Sequence, residues 1–350
     1  MSEILALGTV TIVLAIYLWW GFTVLPAERW QIFATMPERK NGQGSWQGIN
    51  FTWYGILTAN AYLVAVAVLL VLLGSVGVTS VATALLALSM LACCVPASRL
   101  VARIVEKKAH TFTVGGAVFV GIIITPFVIM ALNRLVGPRL DFQIPVMAAW
   151  AAIAIAYAFG EGLGRLACIS FGCCYGKPVA SGSGLLARLF TGRGFVFFGS
   201  TRKIAYADQL DGVEVIPVQA MTAVLYTGCG LIAAALFLGS HHTAAFLVAV
   251  ITTQGWRSFS ETLRADYRGA GRISAYQIMG VAGMLYALVM AWLLQTGTMT
   301  PPVLAAGLRG LWQPAILLFL QGIWLVIFVY TGRSTVTGAT LSFHVHHERI

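Results

Sequence analysis

Residues 51–76, FTWYGILTANAYLVAVAVLLVLLGSV, run for 26 positions without a charged side chain. About 20 helical residues cross the apolar core of a bilayer, so this stretch reads as a transmembrane helix. The rest of the 350-residue chain agrees. Apolar residues make up 59% of it, charged residues 10%, and the mean hydropathy is +0.84. A soluble domain carries roughly 25% charged residues to cover its surface. These figures exclude a pair of soluble domains, a disordered chain, a secreted disulfide scaffold and a fibrous protein. The net charge is +10, from 22 Lys and Arg against 12 Asp and Glu. In a membrane protein such an excess points to anionic lipid head groups or an anionic substrate, and not to nucleic acid.

About nine apolar spans are expected, at residues 4–25, 51–76, 81–100, 112–132, 144–159, 217–238, 243–256, 276–294 and 311–330. The first has no basic leader and no small-residue cleavage site, and it reads as a retained helix. Residues 26–50 read as an extramembrane cap with a Gly/Ser-rich turn. Residues 161–215 read as a folded extramembrane arm, because Phe, Leu and Tyr persist through its polar sequence. The tail from Phe343 to His347 resembles a metal tract, but with six His in the whole chain it reads as solvated.

If all nine spans cross, the loops 26–50, 99–110, 161–215, 257–275 and the C-terminal tail share one face. They hold 19 of the 22 basic residues. The positive-inside rule makes that face cytoplasmic. The other reading is that these cations hold an anionic lipid and carry no topological signal.

Charged groups near the bilayer are functional candidates by default. Two clusters qualify. Gly160-Glu161-Gly162-Leu163-Gly164-Arg165 has glycines, but no preceding strand and no following Lys-Ser/Thr, so it is not a nucleotide loop. Its glycines suit close helix packing or backbone approach to a head group. Arg257, Glu261 and Arg264 have spacings of four and three, which place them on one helix face. Glu261 there would orient guanidinium groups that bind phosphate bidentately; an interfacial salt-bridge ladder is the alternative. Cys168, Cys173 and Cys174 form C-x4-C-C without further ligands nearby. They read first as packed structural thiols, then as a nucleophile, then as a metal or disulfide site. No metal or cofactor is expected.

The run from Gly164 to Pro178, GRLACISFGCCYGKP, resembles the signature of the prolipoprotein diacylglyceryl transferase family, in a divergent branch with a GCCYGKP ending. Trp53-Tyr54-Gly55, Gly115-Gly116, Pro217-x-Gln219, Arg257-x3-Glu261-x2-Arg264 and Ser274 with Gln277 resemble further family marks in the same order. The resemblance implies an all-α polytopic membrane protein. A seven-helix core at 51–295, including the arm, would carry an added helix at 1–25, the cap at 26–50 and an added helix and tail at 296–350. It also implies transfer of the diacylglyceryl group of phosphatidylglycerol to the thiol of a prolipoprotein's lipobox cysteine, with glycerol-1-phosphate leaving.

Position by position, the resemblance makes Arg165 and Arg257 the phosphodiester clamp, with Glu261 orienting Arg257. Tyr54, Gly115, Gly116, Gly176, Gln219 and Arg264 would contact lipid. The departures are specific. Val114 stands where the family has an essential His, with His110 four residues upstream. Cys168 and Cys173 replace an Asn and a Glu, Ile216 replaces a His, and Met221-Thr222 replaces Tyr-Glu. Lipid-phosphate binding therefore carries over better than acceptor activation. Glu161 is a substitute base or packs against Arg165. A non-lipoprotein acceptor, or a non-enzymatic lipid-binding or transport protein on the same core, are the alternatives. The family's arm and catalytic mouth face the periplasm of the bacterial inner membrane. That orientation is the expectation here, against the charge count.

Overall fold

The computed structural model of the chain describes residues 2–42, 44–105, 114–181, 188–265, 273–294 and 301–350. Lys107, Lys108, His110, Arg268 and Arg272, which entered the charge count or the motif comparison, lie outside them. The described chain is mostly helical: α1 Ser2–Val24, α2 Trp53–Ser75, α3 Ser80–Val105, α4 Val114–Leu135, α5 Val146–Phe171, α6 Val218–Leu238, α7 His242–Ser260, α8 Ala275–Leu293, α9 Leu304–Leu311 and α10 Pro314–Gly332. Helices are the response of an apolar chain to lipid, where every backbone donor needs an internal acceptor. Eight of them are long and apolar enough to cross a membrane. The ninth crossing expected from sequence is α7. At 19 residues it matches α8 and α10 in length. It is less apolar because it carries Thr252, Thr253, Gln254 and Arg257.

The axis of the bundle is α5. Of its most apolar window 72% is buried, against 11% for α10, which lies at the periphery. Alanines line α5 and admit close neighbours, while Trp150 fills the centre at 4.1 Å from the ring of Phe246. The arm was expected from residue 161, but α5 continues unbroken to Phe171. Helix packing overrides the poor propensity of the three glycines. A methyl on Gly160 would meet Ala65 of α2 at 3.0 Å, and one on Gly162 would meet Thr227 of α6 at 3.0 Å. The arm proper begins at Gly172, which closes the helix in the left-handed conformation at φ 69°.

The cap is a β-hairpin. β1 (Ile32–Lys40) pairs antiparallel with β2 (Trp46–Thr52), in register Lys40↔Trp46 and Thr35↔Asn50. The tail departs from expectation, because β5 (Arg333–Leu341) leaves α10 and pairs with the other edge of β2. Asn50, buried in the central strand, accepts from Thr35 Oγ1 at 2.8 Å and donates to Thr337 Oγ1 at 3.2 Å, linking all three strands. Beyond the strand, His344, His346 and His347 are exposed. In the arm, β3 (Phe195–Val196) pairs with β4 (Glu214–Val215). Arg202 lies under it, fully buried, and donates to the carbonyls of Ile169, Leu25 and Ala27 at 3.0, 3.1 and 2.6 Å. Burial pulls its pKa down to about 10, while Glu28 and Asp211 push it up.

Both terminal helices are tied to α2. Asn60 donates to Tyr17 of α1 at 3.3 Å and accepts from Trp324 Nε1 of α10 at 2.8 Å. Gly55 is the crossing point of α2 and α10, where a methyl would come within 2.6 Å of the amide nitrogen of Gly332. Gly55→Ala should therefore lower stability in detergent by about 1–3 kcal/mol through overpacking. Gly322→Ala on α10, whose added methyl meets nothing within 4 Å, should unfold with the wild type in the same thermal melts.

Candidate functional site

Three turns of chain meet at one end of the bundle: the loop after α5, the entry to α6 and the exit from α7. The amide of Lys177 donates to the carbonyl of Leu263 at 2.9 Å, Ile216 N donates to Lys177 O at 3.0 Å, and Ala265 N to Tyr175 O at 3.2 Å. Gly176 sits at the junction, bridged to Arg264. A methyl there would lie 2.7 Å from Ile216 Cβ and 2.9 Å from a Val218 methyl, so only glycine lets the turns approach.

The cleft above this junction is lined by Arg165, Arg257, Arg264, Glu261, Gln219, Cys174, Tyr226, Thr222, Ser260 and Val218. Arg165 ion-pairs with Glu161 one turn earlier on α5, and both side chains are 13% exposed. Arg257 lies over the ring of Tyr276, 5.6 Å from its centroid. Gly115 at the start of α4 makes the space for that guanidinium. A methyl there would come within 2.9 Å of Arg257 Cζ and 2.7 Å of Tyr276 Cδ1. Gly116 is buried beside it. The Nε atoms of Arg165 and Arg257 and the Oε1 of Gln219 are buried without hydrogen-bond partners, while Gln219 Nε2 donates to Cys173 O at 2.9 Å. The lining and its direct partner therefore bring three guanidinium groups against two carboxylates, with donors still unused. The cleft has about 10 Å³ of free volume, close to one water.

Six of the residues singled out from sequence line this cleft directly: Arg165, Cys174, Gln219, Arg257, Glu261 and Arg264. Glu161, Gly115 and Gly176 stand behind them in contact with Arg165, Arg257 and the Arg264 bridge. Tyr54 does not line it. Its ring packs edge-on against Phe171 at 5.6 Å, beside the thiols of Cys168, Cys173 and Cys174. The spacing of Arg257, Glu261 and Arg264 predicts one helix face, and the structure differs. α7 ends at Ser260, a single 3₁₀ turn covers Glu261–Leu263, and Arg264 is extended at φ −83°, ψ 148°. Among the described residues Glu261 forms no ion pair with Arg257, which is set by Tyr276 and by the Gly115 gap. Ser274 and Gln277 form a capping box that starts α8, and Gln277 Nε2 reaches back to Ser258 O at 3.0 Å. Sequence reasoning missed Tyr276, Tyr226 and the buried Arg202. An aromatic or an arginine in polar sequence gives no local sign of what it will face.

The three clustered thiols converge, with their sulfur atoms within 4.8 Å of one another. Cys174 is held well below the ordinary thiol range, because Cys168 and Cys173 direct hydrogen bonds at it and Arg264 and Arg165 add positive charge. Cys173 is pushed up by its hydrogen bonds with Cys168 and Cys174 and by burial.

The model of the family described as prolipoprotein diacylglyceryl transferase matches residues 45–293, more than two thirds of the chain. The chain belongs to this family. None of the curated proteins compared with it matches. The matched region spans the arm and every residue of the cleft, and the chain is a membrane-embedded, multi-pass, lipid-utilising transferase by family and by its apolar helices. Gly115→Ala tests the geometry. The added methyl should displace the Arg257 guanidinium and lower lipid-dependent turnover by up to about 100-fold, the scale of a misplaced reacting group. Gly121→Ala, whose methyl meets Cys94 at an ordinary 3.5 Å, should stay near wild type in the same assay.

Proposed function

We propose that the cleft binds the phosphodiester of phosphatidylglycerol between Arg165 and Arg257 and transfers the diacylglyceryl group to the lipobox cysteine thiol of a prolipoprotein. The observation that carries this reading is the pair of guanidinium groups at one cleft, each with a buried, unbonded Nε–H. Such donors suit the paired oxygens of a phosphate. In the transfer the acceptor sulfur forms a bond to the glycerol carbon that carries the phosphate. The carbon–oxygen bond to phosphate breaks, and glycerol-1-phosphate leaves with one more negative charge. That growing charge is what fixed guanidinium groups stabilise in a transition state. The acceptor's proton needs a base. Glu161 is engaged by Arg165, which leaves Glu261, the carboxylate in the cleft lining, as the group to take it. The reading invokes neither cofactor nor metal in the transfer.

We take residues 51–295 as the transferase core, with 1–25 and 296–350 as additions, supported by a family match that stops at 293. A second reading keeps the donor and changes the acceptor, or keeps lipid binding alone. It rests on Val114, which offers no proton chemistry at the position of the family's histidine. Incubation with labelled phosphatidylglycerol separates the three. Released glycerol phosphate with a lipidated peptide supports the first reading, release with another labelled acceptor supports the second, and co-purified lipid without release removes catalysis. In this assay Arg257→Lys keeps the charge but loses the fork, and turnover should fall about 100-fold with normal insertion. Near-normal turnover would remove Arg257 from the clamp.

The cleft, the arm and the cap share one end of the bundle, and this reading turns that end to the periplasm of the bacterial inner membrane. A cysteine at exposed Gly192 in the arm should label with an impermeant maleimide in intact cells. One at exposed Ser240, in the turn between α6 and α7, should label only after lysis. The reverse pattern would restore the positive-inside orientation.

A further inference from the structure

The thiols of Cys168, Cys173 and Cys174 come from two different turns of the chain. Cys168 lies in the last turn of α5, and the other two follow the helix cap. Sequence spacing alone does not bring three sulfurs together; the backbone path does. Gly172 turns left-handed at φ 69°, Cys173 N returns to the carbonyl of Cys168 at 3.0 Å, and Cys174 is itself left-handed at φ 58°. That conformation costs a non-glycine residue about 1–2 kcal/mol. The loop is braced from outside by Gln219 on the Cys173 carbonyl at 2.9 Å and by the Gly176–Arg264 bridge. The chain thus holds a strained residue in a braced loop, and the result is three sulfurs within 4.8 Å of one another.

We propose that these thiols form a three-thiolate site for a thiophilic d¹⁰ metal ion, with monovalent copper as the best match. A metal–sulfur bond of about 2.3 Å places three ligands about 4 Å apart, so the sulfurs need close in by less than an ångström. Thiolates without imidazole or carboxylate select soft ions, and no His, Asp or Glu joins this cluster among the described residues. Monovalent copper accepts three thiolates, whereas zinc requires a fourth ligand such as water. On binding, three metal–sulfur bonds form, each S–H bond still present breaks and its proton leaves to solvent, with nothing oxidised or reduced. The product is a dianion with monovalent copper and a monoanion with a divalent ion. Cys174 shares the cleft with Arg165 and Arg264, whose positive charges offset part of that charge. The site is independent of the identity of the acceptor, and an ion there would pin the loop that follows Arg165.

Purified, reduced protein in detergent, titrated with Cd²⁺ alone and then with Cu⁺ in competition, tests this. One equivalent of Cd²⁺ per chain should bind with thiolate-to-metal charge-transfer absorbance, and Cu⁺ should displace it. Cys168→Ser, Cys173→Ser and Cys174→Ser should each weaken binding by about 100-fold or more. The double variant Cys93→Ser/Cys94→Ser, at a separate thiol pair on α3, should keep the equivalent. Because a serine variant can fail to fold, the wild type is also alkylated with and without Cd²⁺. Cys168, Cys173 and Cys174 should be protected while exposed Cys93 stays reactive. Absence of a stoichiometric equivalent, binding that follows Cys93 and Cys94, equal alkylation with and without Cd²⁺, or a disulfide within the cluster in anaerobically prepared protein would each overturn the proposal.

Discussion

A guanidinium group cannot be deprotonated at ordinary pH, so each arginine drawn into this bundle needs a fixed partner. Insertion scales put the cost of an arginine at the centre of a bilayer at about 2.5–3.5 kcal/mol. The chain answers in three ways. Arg165 takes a carboxylate from its own helix, Glu161, one turn away. Arg257 takes the face of Tyr276 and the hollow left by Gly115. Arg202 takes three backbone carbonyls from the ends of α1 and α5. The first two solutions leave an Nε–H unused at the cleft.

Holding these cations in register requires backbones closer than side chains normally permit. Gly176 lets the exit of α5 touch the entry of α6, and Gly160 and Gly162 bring α5 against α2 and α6. Gly280 does the same between α8 and α7, where a methyl would meet Ser258 Oγ at 2.5 Å. Small residues at crossings and a few interhelical hydrogen bonds are what remain as cohesive forces once the solvent is itself apolar. Tyr226 OH to Thr253 O at 2.7 Å and Trp256 Nε1 to Thr222 Oγ1 at 2.8 Å join α6 to α7 just beneath the cleft. The cleft is thus rigid at its base, and its small free volume is set by the long side chains above.

Much of this was legible in the sequence because the signals are local. Apolar length marks the crossings, and the ordered motifs point to Arg165, Gln219, Arg257, Glu261 and Arg264, which do line one cleft. What stayed hidden depends on partners far along the chain. β5 pairs with a strand nearly three hundred residues earlier, and nothing in 333–341 names β2 as its partner. Arg202 looked like one more loop cation, yet its acceptors lie at Leu25, Ala27 and Ile169. The extent of α5 was underread because three glycines in six residues argue against a helix until their neighbours are known. The single-face reading of Arg257, Glu261 and Arg264 failed where the helix ends, since spacing says nothing about where hydrogen bonding stops.

Two carboxylates in one electrostatic neighbourhood can do different work only if their surroundings differ. Glu161 is nearly buried and held by Arg165 on the same helix, so it neutralises a cation and fixes its direction. Glu261 sits at the junction of α7 and its terminal turn, lines the cleft and forms no ion pair among the described residues. In the proposed transfer the first arrangement orients the donor lipid. In the same proposal the second is the carboxylate left open to the acceptor. With Val114 where the resemblance puts a histidine, the proposed chemistry rests its proton side on this one glutamate. The proposed donor half is therefore built into the base of the bundle. The proposed acceptor half depends on the exit of α7, where the helix gives way to a single 3₁₀ turn and an extended Arg264.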